Sequence, residues 1–324
     1  MAQHFLLSPA CRTLSEAKVA RMSEDEAREV FAKLRWPSTG GEAVCPRCGC
    51  LGCYHFPAKR KWRCKGCGYD FSVTSGTIFA DRKMPFRDLL LAIYKFVNAA
   101  KGYCALQLSR ELGCDYKVAF VLLHKLRECL EAETAGEQVG GEDEHVEVDG
   151  AYFGGHVRPA NRKEDRKDRR LAENQSGKRR CVGVIRQRGG RTLPFVLADE
   201  AALVPVIGRR VRKGTTIHAD EAAAYDALHA RFAMKRINHQ EAYSKDGACT
   251  NGAESYFSRL RRAEWGQHHH IGAVYLGRYA AEMAWREDHR RVPNGSLAKR
   301  LLGLALAQGP SVDWSGYWQR RRAA

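Results

Sequence analysis

The 324-residue chain lacks several things that would place it in familiar classes. It has no apolar run approaching the roughly 20 residues that cross a bilayer, which excludes an integral membrane protein. Met1 to Ala20 has no apolar core followed by a small-residue cleavage site, so no secretory leader is expected. Without an oxidising compartment, the twelve cysteines are not expected to form a disulfide framework. No internal repeat and no collagen-like period is present. Acidic charge is scarce: 54 Lys and Arg face 37 Asp and Glu, a net charge of +17. A surplus of that size favours a polyanionic partner, since each cation set against a phosphate releases counterions. With 44% hydrophobic residues the chain can still bury a core, which excludes a wholly disordered protein.

The cysteines are clustered. Cys45 and Cys48, then Cys64 and Cys67, form two C-x2-C pairs fifteen residues apart. Each pair presents two thiolates to one ion, and Gly49 and Gly68 allow the tight turn this requires. Four thiolates in a tetrahedron suit Zn²⁺. The segment between and after the pairs reads as short strands around Tyr54, Phe56, Lys61–Arg63 and Tyr69–Val73. That is a zinc ribbon, too small to fold without its metal. Cys50 and Cys53 lie inside the loop and read as free thiols.

The organisation expected along the chain is a helical lead (1–40), the ribbon (41–80), a helix-turn-helix-like region (81–135), an α/β domain (143–292) and a basic tail (293–324). Ser23 and Glu26 have capping-box spacing at the start of a short amphipathic helix. Pro85 opens a second helix, 105–112 forms a third that ends at Gly113, and Asp115 caps a fourth running from Tyr116 to about Glu131. The last two match helix-turn-helix and would offer Tyr116, Lys117, Phe120, His124 and Lys125 to DNA. The competing reading is an ordinary helical hairpin. From about 144 the pattern turns to strands at 145–149, 180–185, 192–197, 215–220 and 235–238. Helices are expected over 200–211, 221–232, 251–265 and 273–290. This is an α/β order with a mixed sheet. The loop from His156 to Arg180, with ten Lys and Arg against four Asp and Glu, reads as a solvated loop able to sweep a phosphate backbone.

Asp149 and Asp220 each end a strand, where side chains from neighbouring strands converge. Glu254 follows on a helix. Brought together, three carboxylates can hold two Mg²⁺ ions, which prefer oxygen ligands and activate phosphoryl transfer. Each has a plainer alternative: the two aspartates can cap turns, and Asn251 with Glu254 has capping-box spacing. Asn251, Glu254, Ser258 and Arg261 share one helix face, and Ala253, Phe257 and Leu260 form the buried one. A polar stripe ending in Arg suits a phosphate.

These residues also resemble a family. Val148-Asp149-Gly-Ala-Tyr-Phe-Gly-Gly155, His218-Ala-Asp220-Glu221, and Thr250-Asn251-Gly-Ala-Glu254 with Arg261, His269 and His270 resemble the three catalytic blocks of DDE transposases of bacterial insertion sequences. The run Phe71–Phe79 is similar to the ribbon exit of the ISXO-like group. The resemblance extends from about 40 to 291. It implies an RNase H-like catalytic domain with Asp149, Asp220 and Glu254 as ligands of Mg²⁺ or Mn²⁺. It also implies a role for His269 and His270 near the scissile phosphate, against a plainer role in packing. One position departs from the pattern: the family often has an acidic residue after the first Asp, and here it is Gly150. The function implied is a cytoplasmic, nucleoid-associated transposase, dimeric or larger on DNA. It would bind terminal inverted repeats and join a freed 3′-OH to target DNA. The rival readings are a zinc-ribbon regulator without chemistry and a nuclease of the same fold that cuts without joining.

Overall fold

The computed structural model describes residues 4–155, 160–168, 177–237 and 248–319. The chain forms two compact units, Met1–Glu133 with Arg291–Ala324, and Thr134–Arg290. No described helix is long and apolar enough to cross a membrane.

In the first unit, α1 (Glu16–Ala20) precedes α2 (Glu24–Arg35). The Ser23 hydroxyl accepts the Glu26 N–H at 3.2 Å, and the Glu26 carboxylate accepts the Ser23 N–H at 2.7 Å, so the expected capping box is formed. The ribbon is an antiparallel sheet of β1 (Cys53–Phe56), β2 (Lys61–Cys64) and β3 (Asp70–Phe71). Trp36 at the end of α2 meets Trp62 at 5.5 Å and Phe71 at 6.3 Å, which ties the sheet to that helix through aromatic area. Next come α3 (Phe86–Asn98), α4 (Ala105–Leu112) and α5 (Tyr116–Glu133). Gly113 ends α4 in the left-handed region at φ 61°, and the Asp115 carboxylate accepts the Lys117 N–H at 2.7 Å where α5 begins.

The second unit is built on a five-stranded sheet of β4 (His145–Phe153), β5 (Arg180–Gln187), β6 (Thr192–Leu197), β7 (Thr216–Asp220) and β8 (Ala233–Ile237). The spatial order is β6-β5-β4-β7-β8. The β4–β5 and β5–β6 pairs are antiparallel, whereas β4–β7 and β7–β8 are parallel, so the sheet is mixed as expected for an RNase H-like domain. Period-2 alternation sorts its residues. Val146, Val148, Ile217 and Ala219 face one core with α6 (Val204–Arg210), Tyr225 and Leu228. Ala151, Phe153, Val182 and Val184 face the other, packed on α7 (Asn251–Ala263) and α8 (Leu276–Asp288). By the same alternation Glu147, Asp149, His218 and Asp220 lie on the α7 side of the sheet.

The expected helix over 221–232 is instead a 3₁₀ segment, Ala223–Ala230. Tyr225 and Leu228, three apart, lie on its buried side, which suits three residues per turn. The helix expected to run to 265 ends at Ala263 and passes into a π-helical turn, Glu264–His268. Asn238, placed at the end of a strand, lies outside the described residues, as do parts of the basic 156–180 loop.

The segment read as a basic tail contains α9 (Asn294–Ala307), which belongs to the first unit and packs on α2, α3 and α5. The Asn294 amide splices it to the N-terminus, accepting the Leu14 N–H at 2.9 Å and donating to the Leu14 carbonyl at 2.8 Å.

Candidate metal centres and DNA-facing surface

In the ribbon, Cys45, Cys48, Cys64 and Cys67 place their sulfurs within 4.8 Å of one another. The Cys45–Cys67 and Cys48–Cys64 separations are 3.6 and 3.5 Å. A tetrahedral Zn–S bond of about 2.3 Å gives sulfur edges of about 3.8 Å, so the four thiols fit a zinc ion. The N–H groups of Gly66 and Cys67 point at the Cys64 sulfur, at 3.3 and 3.5 Å. The Cys67 N–H is the main influence that lowers this thiol, while its neighbour Cys48, hydrogen-bonded to it, is pushed up, so the proton the pair shares lies on Cys48. Cys50 and Cys53 stand outside the set; Cys53 donates to the Cys50 carbonyl at 3.8 Å, and burial pushes its thiol up.

In the second unit, Asp149 at β4 and Asp220 at the end of β7 come together with Glu200, just beyond β6. Each offers a carboxylate oxygen, and these lie within 4.8 Å of one another. Asp220 ends β7 and accepts the Ala222 N–H at 3.1 Å, as a turn-capping residue does. Asp149, expected to end its strand, instead lies in the middle of β4, which continues to Phe153, and accepts the N–H of Gly150 beside it at 2.7 Å. Burial pushes the Asp149 carboxyl up to about 7, and the charges of Asp220, Glu200 and Glu254 add to the shift. Burial raises Glu200 as well, against a hydrogen bond from the Tyr225 hydroxyl at 2.8 Å. Hard oxygen donors crowded against their own repulsion are the donor set that Mg²⁺ or Mn²⁺ relieves.

Glu200 is absent from the sequence reading, and the reason is Gly150. A Cβ at residue 150 would stand 2.9 Å from the Glu200 Cγ and Cδ. The missing side chain makes the room in which Glu200 sits. Glycine stands at 150 where the resembled pattern often has an acidic residue, and the Glu200 side chain lies against it. The only signal in the sequence was that glycine.

Glu254 lies in the first turn of α7, outside the 4.8 Å set but close enough for its charge to act on Asp149. The capping box considered for Asn251 and Glu254 is not formed, because Thr250 occupies the N-cap and makes no side-chain cap bond. The cap comes from the sheet. The Glu147 carboxylate, 3% exposed, accepts the N–H groups of Gly252 at 2.6 Å and Ala253 at 3.0 Å through one oxygen. Its other oxygen accepts from Arg188 Nε at 2.9 Å. A Cβ at Gly252 would stand 2.7 Å from that first oxygen, so glycine is what lets the carboxylate reach the helix. Arg188 continues to the Cys249 carbonyl at 2.9 Å and to His218 Nδ1 at 3.2 Å. Burial, then the charges of Arg188 and His145, hold His218 down at about 4, neutral at physiological pH.

The amphipathic reading of α7 holds: Ala253, Phe257 and Leu260 are buried, while Asn251 and Arg261 are exposed. Arg261 lies over the Phe257 ring at 5.9 Å. His269 and His270 are exposed after the π-helical turn, His269 with φ 57°. His270 stands close enough to Glu264 for its charge to lower that carboxyl against the upward push of burial.

On α5, Lys117 is exposed at the first turn. His124, expected to be offered to DNA, is 1% exposed and stacks on Trp314 at 4.3 Å. Phe120 is covered by Trp314, Tyr317 and Trp318, at 5.9, 6.1 and 5.9 Å. The aromatic side chains after α9 were not connected to this helix in the sequence because nearly 200 residues intervene. Lys125 is also engaged, donating to the Ile78 carbonyl at 2.9 Å.

Two domain models match the chain. Residues 140–288 match the ISXO2-like transposase domain, and residues 22–70 match a transposase zinc-ribbon domain. The chain is 24% identical over 299 residues to an uncharacterized protein in transposable element ISH50 of Halobacterium salinarum, across 88% of this chain and 98% of that protein. No solved structure matches it.

Proposed function

Since the chain belongs to the insertion-sequence transposases that join a zinc ribbon to an ISXO2-like transposase domain, we propose that it binds the terminal inverted repeats of its element, cleaves DNA to free a 3′-OH and joins that hydroxyl to target DNA. The observation that carries this reading is the meeting of Asp149 in the middle of β4, Asp220 at the end of β7 and Glu200 just beyond β6, inside the matched transposase domain. Asp149 and Asp220 would hold Mg²⁺ or Mn²⁺ with Glu200, and Glu254 would complete a second position. Ions so held supply an activated attacking oxygen and a stabilised leaving oxygen. The chain's own residues do the rest. The Tyr225 hydroxyl orients Glu200, and Glu147 anchors the start of α7 and with it Glu254. Asn251, Arg261, His269 and His270 would contact the phosphate backbone, and Lys117 the element's end. Zn²⁺ on the four cysteines is structural.

Because two element ends must be joined, we expect a dimer or larger assembly on DNA, acting at the nucleoid in the cytoplasm. The test is nicking and joining of an element end by Glu254→Gln and Glu200→Gln, each beside a thermal melt. Loss of both steps in Glu254→Gln with unchanged melting supports its place among the ligands. Near-normal joining by Glu254→Gln would remove it from them. Nicking without joined products in the wild type would favour the nuclease, and DNA binding without nicking the regulator.

A further inference from the structure

A cavity of about 650 Å³ opens in the first unit between the start of α5, the segment 78–84 and the residues after α9. Its wall combines aromatic and cationic side chains. The indole of Trp318 is 41% exposed. It meets Phe120 and Tyr317 at interplanar angles of 61° and 89°, so neither ring is stacked on it. Around it stand four cations, Arg82, Lys83, Lys117 and Lys125, against two carboxylates, Asp81 and Asp115. Asp115 is already engaged by the Lys117 N–H. Arg82 and Lys125 are likewise engaged with backbone carbonyls. Lys83 and Lys117 are exposed, with the Lys117 ammonium over one face of the Trp318 ring, 5.5 Å from its centroid, so that a base takes the other face or displaces it.

A flat aromatic face beside exposed cations is the chemistry that takes a nucleobase by stacking and its phosphate by charge. A fully stacked duplex presents no base face to such a wall, whereas an extrahelical nucleotide does. We propose that the cavity beside Trp318 binds a single unstacked nucleotide of DNA, the base lying on the Trp318 indole and the phosphate held by Lys83 and Lys117. The proposal rests on the DNA-binding reading above and adds a site that the zinc ribbon and the acidic centre do not account for. It also gives the covering of Phe120 and His124 a consequence: the aromatic segment offers DNA a face in place of the helix side chains it hides.

The experiment uses the full-length chain and two 20-base-pair duplexes, one fully paired and one carrying a single extrahelical 2-aminopurine. The wild type should bind the bulged duplex more tightly by about tenfold, within the range expected for one base stacked on an aromatic ring. Binding should also quench the 2-aminopurine fluorescence. Trp318→Leu should abolish the preference and the quenching while binding the paired duplex within about twofold. Lys83→Glu, at an exposed position, should weaken the preference without changing the circular dichroism. A wild type that binds both duplexes equally, or a Trp318→Leu protein that keeps the preference, overturns the cavity assignment and leaves the DNA reading intact. A wild type that binds neither duplex overturns both.

Discussion

Glu147→Gln isolates the link between the sheet and α7, and its consequence can be worked from the contacts. The native carboxylate has two acceptor oxygens facing opposite ways. One takes the N–H groups of Gly252 and Ala253, the other Arg188. Gln has one acceptor and one donor. If its oxygen turns to the helix, its NH₂ faces the guanidinium, donor against donor. If the oxygen turns to Arg188, the NH₂ faces two backbone donors. Either way a buried donor is stranded and the helix N-terminus loses an anion that its dipole favours. Breaking a buried ion pair costs roughly 3–5 kcal/mol. The Arg188 side chain is 33% exposed, so water recovers part of this, and the expected loss is about 3 kcal/mol. For a unit of this size that corresponds to roughly 6–12 °C in its thermal transition. Calorimetry on the full chain reads it directly, and hydrogen exchange at Gly252 and Ala253 localises it. A double-mutant cycle with Arg188→Met should give a coupling of about 1–3 kcal/mol. A shift under 2 °C with unchanged exchange at those two amides would refute the reasoning.

Purified protein should hold one zinc per chain through the four ribbon cysteines, and Cys48→Ser should release it while Cys53→Ser should not; metal analysis checks this, and equal loss from both would mean the ligands are wrongly chosen. The Asp149 carboxyl titrates near 7 in the folded chain against 3.8 ordinarily, so it stabilises the metal-free fold least when ionised. Metal-free protein should therefore lose stability as pH rises from about 4 through 7, by ~4 kcal/mol at most from this group. Asp149→Asn should flatten that loss and raise the melting temperature at pH 8, and a melt unaffected by the substitution would contradict the assignment. Gly150→Ala should push the Glu200 carboxylate aside, costing about 1–3 kcal/mol. It should also weaken Mn²⁺ binding measured by calorimetry, and the stability loss should vanish in a Glu200→Ala background.

Much of this was legible in the sequence because it rests on short-range pattern. The spacing of the cysteine pairs and the alternation of the strands are each set by neighbouring residues, and that alternation marked Asp149 and Asp220, although β4 runs on past Asp149 to Phe153. The polar stripe of α7 is equally local, and its buried partners are where the periodicity put them. What escaped depends on contacts far apart in the chain. Glu147 alternates with its apolar neighbours in β4, and its partners in α7 lie about a hundred positions later. Glu200 becomes visible only when Gly150 is seen to have no side chain to exclude it. The helix at Asn294–Ala307 lay in the segment read as a basic tail, and its place is set by the Asn294 amide, which holds Leu14 some 280 positions earlier. The reading of α5 failed at His124 for the same reason: nothing local in the sequence announces Trp314.

The most direct measurement is strand joining itself. A labelled element end with Mg²⁺ or Mn²⁺ and a target duplex should give nicked and then joined products with the wild-type chain. Asp220→Asn should lower both steps on the order of a thousandfold or more, as expected for removal of a principal electrostatic element. Its zinc content and melting temperature should not fall. Joined products formed by Asp220→Asn at a rate near that of the wild type would contradict the account.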